Sequence, residues 1–238
     1  MRKKTVRVVA LAFFVQVAFL GATCQARTQA EKAPYPAMAH LDQYLMPDEN
    51  SEIALARSAA QASVSDGAEV MVLGPKGYTT AAKGTNGFLC IVERSWGAAT
   101  DDLEFWNPKV RAPICFNPPA ARTFVPIYLM KTKLVVAGKS KTEIAEATAS
   151  ALDKKRLPAL EPGAMCYMTS KLQYLSDHDM SWHPHLMFFV HGDAAKSWGA
   201  NLPGSPVMAA NDPEERATIF LVWVDKWSDG TPAPAIVH

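Results

Sequence analysis

The sequence predicts an α+β fold, a mainly antiparallel sheet with two main helices in a single domain. Three observations point there. Residues 68–93 divide into three short strand-like runs separated by glycine-containing turns. Ser140-Lys141-Thr142-Glu143 is a capping box at the head of a helical pattern. Three further strand-like runs, 164–174, 185–190 and 217–224, follow that helix. A length of 238 residues, 49% of them hydrophobic, suits one domain and excludes a fibre or a wholly disordered chain.

In chain order, residues 27–36 are polar and carry Pro34 and Pro36, the pattern of a mobile arm. Residues 37–45 read as a short helix, so 27–48 form an arm ahead of a domain spanning 49–228. Asn50 or Ser51 can cap a helix over 52–62, where Ile53, Ala56 and Ala60 recur at helical spacing. Residues 68–73, 78–82 and 88–93 are the first three strands. The turns Gly74-Pro75-Lys76-Gly77 and Asn86-Gly87 join them into an expected antiparallel meander. Residues 96–123 read as irregular, with 113–118 extended. Residues 124–136 fit a strand or a helix equally well. The capping-box helix runs to about 155, where Lys154, Lys155 and Arg156 complement its negative end and Pro158 prevents its continuation. Of the closing strands, 217–224 is nearly all apolar and is expected to be central, covered on both faces. Residues 194–198 suggest a helical turn ended by Gly199. Residues 229–238 read as a loose tail.

The N-terminus carries an address. Arg2, Lys3, Lys4 and Arg7 precede an apolar stretch over 8–22, and small residues lead to Ala26. This is the layout of a signal peptide spanning 1–26. The apolar stretch is shorter than the roughly 20 residues a membrane span needs, so no span is expected after cleavage and the protein is expected in the periplasm or medium. A lipid-anchored form at Cys24 is the weaker alternative. The formal charge of +1 includes the leader; without its four basic residues, 20 basic side chains face 23 acidic ones and the charge is −3. With no basic block, nucleic acid is not an expected partner.

An oxidising compartment favours paired cysteines. Without Cys24 three remain, and a Cys90–Cys115 disulfide with Cys166 as a buried thiol is the expected arrangement. Three reduced core cysteines are the alternative.

Four of the six histidines fall within 178–191. In an extended segment His183, His185 and His191 share one face. With His178 from the preceding loop, His183 and His185 would make a three-ligand site, and zinc is the candidate cofactor of a hydrolase-like reading. Asp179 is an alternative third ligand. Met165, Cys166, Met168, Met180 and Met187 suggest a copper variant of the same idea. A nucleophilic reading sets Ser170 or Cys166 beside His185 as base, although no Gly-x-Ser-x-Gly elbow is present. The blander reading of this segment is a ligand-binding pocket formed by Trp182, His183 and His185, with no catalysis and no cofactor. Asp101, Asp102 and Glu104 lack an ion-binding pattern and read as a solvated face. Trp96, Trp106, Trp182 and Trp198 lie in expected loops, either capping the core or exposed as a binding surface. No phosphate-binding glycine loop is present, so no nucleotide cofactor is implied.

Four blocks carry a resemblance: Gly84-Thr85-Asn86-Gly87-Phe88-Leu89-Cys90-Ile91-Val92-Glu93-Arg94, Pro113-Ile114-Cys115-Phe116, Cys166-Tyr167-Met168-Thr169-Ser170 and Pro184-His185-Leu186-Met187-Phe188-Phe189. Together, over roughly 50–225, the chain resembles a family of uncharacterised secreted bacterial proteins. The resemblance adds support for pairing Cys90 with Cys115 and implies no activity. The expected function is binding of a small molecule or a protein partner beside the 178–191 segment, with a metal-dependent hydrolase as the alternative.

Overall fold

Gly77, at φ 106°, closes a tight turn, and β1 (Glu69–Gly74) pairs antiparallel with β2 (Gly77–Ala82) as the turn residues require. The meander stops there. β3 (Leu89–Glu93) pairs with the opposite edge of β1, and does so in parallel. The connecting chain crosses the start of β1 so closely that a Cβ on Gly84 would lie 2.3 Å from the Glu69 nitrogen. Asn86-Gly87 is therefore no hairpin turn. The Asn86 side chain donates to the Val64 carbonyl at 2.8 Å and accepts from the Phe88 amide at 3.0 Å, anchoring the crossover.

The computed structural model describes residues 34–178, 182–205 and 207–234. The expected signal peptide at 1–26 lies outside them. β4 (Ala112–Phe116), β5 (Met165–Met168), β6 (His185–His191), β7 (Val207–Asp212) and β8 (Ala217–Trp223) extend the sheet. Its order is β2-β1-β3-β4-β5-β6-β8-β7, antiparallel everywhere except β1 against β3. The fold is α+β, a single domain built on a mixed sheet. β4 is buried at every residue, although Pro113 and its position among irregular segments make it read only as extended. β7 has no strand signature in Val-Met-Ala-Ala-Asn-Asp and takes the outer edge. β8 therefore lies second from the edge rather than at the centre. Thr218 and Phe220 are buried, whereas Leu221, Val222 and Trp223 are half-buried. On the outer side of β7, Asn201 meets Ala209 like a strand residue. Its side chain accepts from the Ala209 amide at 2.9 Å and donates to the Ala209 carbonyl at 2.8 Å.

Among the described residues three helices have nine residues or more, one more than expected: α1 (Glu49–Arg57) and α4 (Val125–Val136), which pack on the sheet, and α5 (Lys141–Asp153), which packs on α4. The N-cap of α1 is Asp48, accepting from the Ser51 amide at 2.8 Å, so the helix begins and ends earlier than the 52–62 pattern implies. Short α2 (Ala62–Ser65) follows it. Pro118 and Pro119 start α3 (Pro118–Thr123), capped by Asn117, and α4 follows directly. In α4 most residues are apolar, which erases the periodicity and explains why strand and helix were indistinguishable in the sequence. The capping box of α5 is fully formed.

Alternation along β3 sets the two layers. Cys90 and Val92 face α1, whose Ala56, with Ala59 and Ala60 just beyond, permits close approach. Leu89, Ile91 and Glu93 face the opposite side, where Ile127, Tyr128, Val135 and Ile144 of α4 and α5 build the larger core around Trp96, Phe116 and Phe189. Trp96 and Trp106 are thus core residues, while Trp198 is half exposed and stacks on Phe220 at 4.2 Å. Cys90 and Cys115 face each other across β3 and β4 and form the expected disulfide. Cys166 is a buried free thiol.

One buried ion pair ties α1 to the sheet. The fully buried Arg94 guanidinium donates to Glu52 at 2.9 Å, to the Tyr44 carbonyl at 2.6 Å and to the Val92 carbonyl. The described part of the N-terminal arm is held just as firmly. A 3-10 turn, Leu41–Tyr44, replaces the expected helix, and the buried Tyr44 hydroxyl donates to the Trp106 carbonyl at 2.8 Å. Tyr174, Tyr35 and Lys109 donate to Asp177, and in that order they hold its carboxyl well below the ordinary range. The tail is not loose as far as residue 234: the Trp227 amide bonds to the Thr231 carbonyl at 2.9 Å, and the Ala233 amide to Asp225 at 2.8 Å. Among the described residues, no helix is long and apolar enough to cross a membrane.

Candidate functional site

A cleft of about 630 Å³ opens on the α4 side of the sheet, beyond the end of β3. Its lining includes Glu93, Asp101, Asp102, Glu104, His178 and Trp182. The volume lies within the range of small-molecule sites.

The 95–110 segment forms one wall. Ser95 donates to the Phe105 carbonyl at 2.7 Å and Trp96 donates its indole N–H to Thr132 at 3.0 Å. Glu104 joins this wall to the next: it accepts from Asn107 at 2.8 Å, from Ser176 at 3.1 Å and from the Asp177 amide at 2.9 Å. The expected solvated face therefore splits. Asp101 and Asp102 are exposed, but Glu104 is buried and organises the 176–178 loop.

Glu93 belongs to the floor. Gly97 lies against its carboxylate, where a Cβ would approach Oε2 to 2.7 Å. Loss of solvent, reinforced by the negative charge of Glu215, pushes the Glu93 carboxyl up to about 8, against the opposing pull of Lys131. Lys131 is itself buried and donates to Glu215 at 3.1 Å and to the Ala98 carbonyl at 3.0 Å. Desolvation acts against its charge, yet Glu215 holds it above the ordinary lysine range. The three residues come from β3, α4 and the β7–β8 turn, so no local motif announces them.

The protonation of Glu93 has a consequence for stability. An exposed glutamate titrates near 4.5 and Glu93 near 8, so between those values the native chain keeps a proton that the unfolded chain has lost. Folding stability should fall as pH rises through this window and level off above it. Glu93→Gln should flatten that slope and raise the thermal midpoint relative to the parent at pH 8 more than at pH 4.5. Equal gains at both pH values would refute a neutral Glu93.

The histidines behave differently from their expected roles. His185 is 2% exposed, with Nδ1 2.9 Å from the His183 carbonyl and its ring edge-on to Trp223 at 5.4 Å. Burial lowers its pKa. His183 also meets Trp223, at 5.8 Å. His178 is exposed and reaches instead toward Glu104, with Nε2 3.6 Å from Oε1. Asp179 and Met180 lie outside the described residues. Among the described residues, no group of three His, Cys, Asp or Glu side chains is placed to hold a metal ion. The expected convergence of His178, His183 and His185 does not occur, because two pack into an aromatic cluster and the third turns to the acidic wall.

The nucleophilic arrangement is also absent. β5 ends at Met168, so Ser170 does not continue its face. The Ser170 hydroxyl is buried, 2.7 Å from that of Ser58, and accepts from the Leu172 amide at 3.0 Å. Burial, and secondarily the charge of Glu93, raise the Cys166 thiol well above its usual range, the opposite of an activated cysteine.

Trp182 is half-buried and lines the cleft, 6.3 Å from the His185 ring, whereas His183 and His185, expected beside it in one pocket, do not line it. Its buried indole N–H has no hydrogen-bond partner among the described residues. No protein-family model, curated protein or solved structure matches the chain.

Proposed function

We propose that the chain is an extracytoplasmic binding protein whose cleft takes a small organic cation, such as an alkylammonium or guanidinium compound. The basic, apolar leader and the Cys90–Cys115 disulfide support the compartment. The observation that carries the ligand class is the cleft itself: four carboxyl side chains and the Trp182 ring line one concavity. Carboxylates attract a cation over distance, and an aromatic face adds cation–π attraction worth about 0.5–2 kcal/mol. Arg94 touches the cleft but its guanidinium is committed to Glu52 and two carbonyls, so it adds no free cation. A cation seated near Glu93 favours its ionised form, and binding therefore expels a proton.

Titration calorimetry with tetramethylammonium, guanidinium and putrescine, beside acetate and neutral acetamide, tests this reading. At least one cation should bind and quench tryptophan fluorescence, with affinity rising from pH 6 to 8.5 and proton release visible in buffers of different ionisation heat. Glu93→Gln should weaken binding and remove the pH dependence. Binding of acetate or acetamide in preference to every cation would overturn the proposal.

A further inference from the structure

A second cavity, remote in composition from the acidic cleft, has a different character. It measures about 480 Å³ and lies between the end of α5, the 157–160 segment, α4, the end of β6 and the β7–β8 turn. Its wall is aliphatic, from Ile127, Leu152, Leu157 and Leu160, side chains continuous with the main core. Its exposed rim is basic, from Lys155, Arg216 and His191.

Two of these rim residues hold unusual backbones. Among the described residues only three non-glycines have positive φ, and two of them are Lys155 at 52° and Arg216 at 56°. Lys155 follows the end of α5, where a left-handed residue closes the helix and glycine is the usual occupant. Arg216 occupies the β7–β8 turn, where glycine or asparagine is likewise favoured. At both places the chain carries a long cation on a backbone that suits glycine better. Functional sites are where such strain tends to persist. Of the acids around the cavity, Glu215 is engaged with Lys131 at 3.1 Å, while Asp153 takes one nitrogen of the Arg216 guanidinium at 2.5 Å and leaves its other N–H donors to meet a ligand.

We propose that this cavity binds an amphiphilic monoanion, a carboxylate with a medium-length hydrocarbon tail. The tail lies along Ile127, Leu152, Leu157 and Leu160, and the carboxylate meets Lys155 and Arg216 at the rim. Charge complementarity selects the anion over neutral or cationic amphiphiles, and apolar burial selects a chain over acetate. This site is independent of the reading of the acidic cleft.

Calorimetric titration of the full chain with dodecanoate below its micellar concentration tests the proposal, with octanoate, dodecyltrimethylammonium and dodecanol as comparisons. Dodecanoate should bind saturably at one site, raise the thermal midpoint, and bind more tightly than all three. Lys155→Gly and Arg216→Gly should each weaken dodecanoate by roughly tenfold, the effect of losing one charge-assisted contact. The same variants relieve backbone strain, so their thermal midpoints without ligand should equal or exceed the parent's. That opposition separates lost binding from lost folding. Equal affinity for dodecyltrimethylammonium, a lowered midpoint with dodecanoate, or unchanged affinity in both glycine variants would overturn the site.

Discussion

Replacing Arg94 by methionine is expected to cost about 3–5 kcal/mol of folding stability, the usual effect of removing one partner from a buried ion pair. The guanidinium is fully buried and serves three acceptors on three segments. Its loss strands the Glu52 carboxylate, which is 2% exposed and, among the described residues, keeps only the Leu73 amide as a donor, 3.1 Å away. Most of the cost is the buried, unmatched charge rather than the lost attraction. The double variant Glu52→Leu with Arg94→Met should therefore be more stable than Arg94→Met alone. Urea unfolding of the two proteins measures this. A single variant within about 1 kcal/mol of the parent would show that the pair does not hold α1 against the sheet.

Replacing both Cys90 and Cys115 by alanine should lower stability by about 3–4 kcal/mol, from the chain entropy released in the unfolded state by a loop of this length. The sequence separation is 25 residues. For a domain of this size the thermal midpoint should drop by roughly 6–16 °C. The span includes the 95–110 wall of the acidic cleft, so cation binding should weaken together with stability. Cys166 should stay unreactive toward thiol reagents until the chain unfolds, because it is buried in the core and its thiolate is disfavoured. An unchanged midpoint after reduction would remove the disulfide as a source of stability.

Local signals in the sequence identified local structures well. Four residues suffice for the start of α5, because Ser140 and Glu143 satisfy each other's backbone donors without outside help. Gly199, at φ 63°, ends the 3-10 turn Ala195–Trp198 where a left-handed residue was expected. Strand order was not legible. Asn86-Gly87 carries a strong hairpin signal, but Asn86 commits its side chain to Val64 and Phe88, and β3 crosses to the far edge of β1. β7 was hidden because it is an exposed edge with little apolar alternation. For the candidate cleft, a tryptophan in a loop between strands must find cover or line a surface, and Trp182 lines the cleft. Glu93 was not legible: it ends an apolar strand, and only the fold brings it to Lys131 and Glu215. The histidines misled because spacing alone says which side chains share a face. It cannot say that the Trp223 ring packs against both His183 and His185.

The Asn201 side chain beside Ala209 has a consequence for the protein at high concentration. An open sheet edge is a template on which a second copy can add its own strand, and repetition of that step produces fibres. By occupying both polar groups of the Ala209 backbone, one amide side chain interrupts the row at its middle. At Ala209 the β7 margin of this eight-stranded sheet is thereby closed to a further strand by a residue that belongs to no strand.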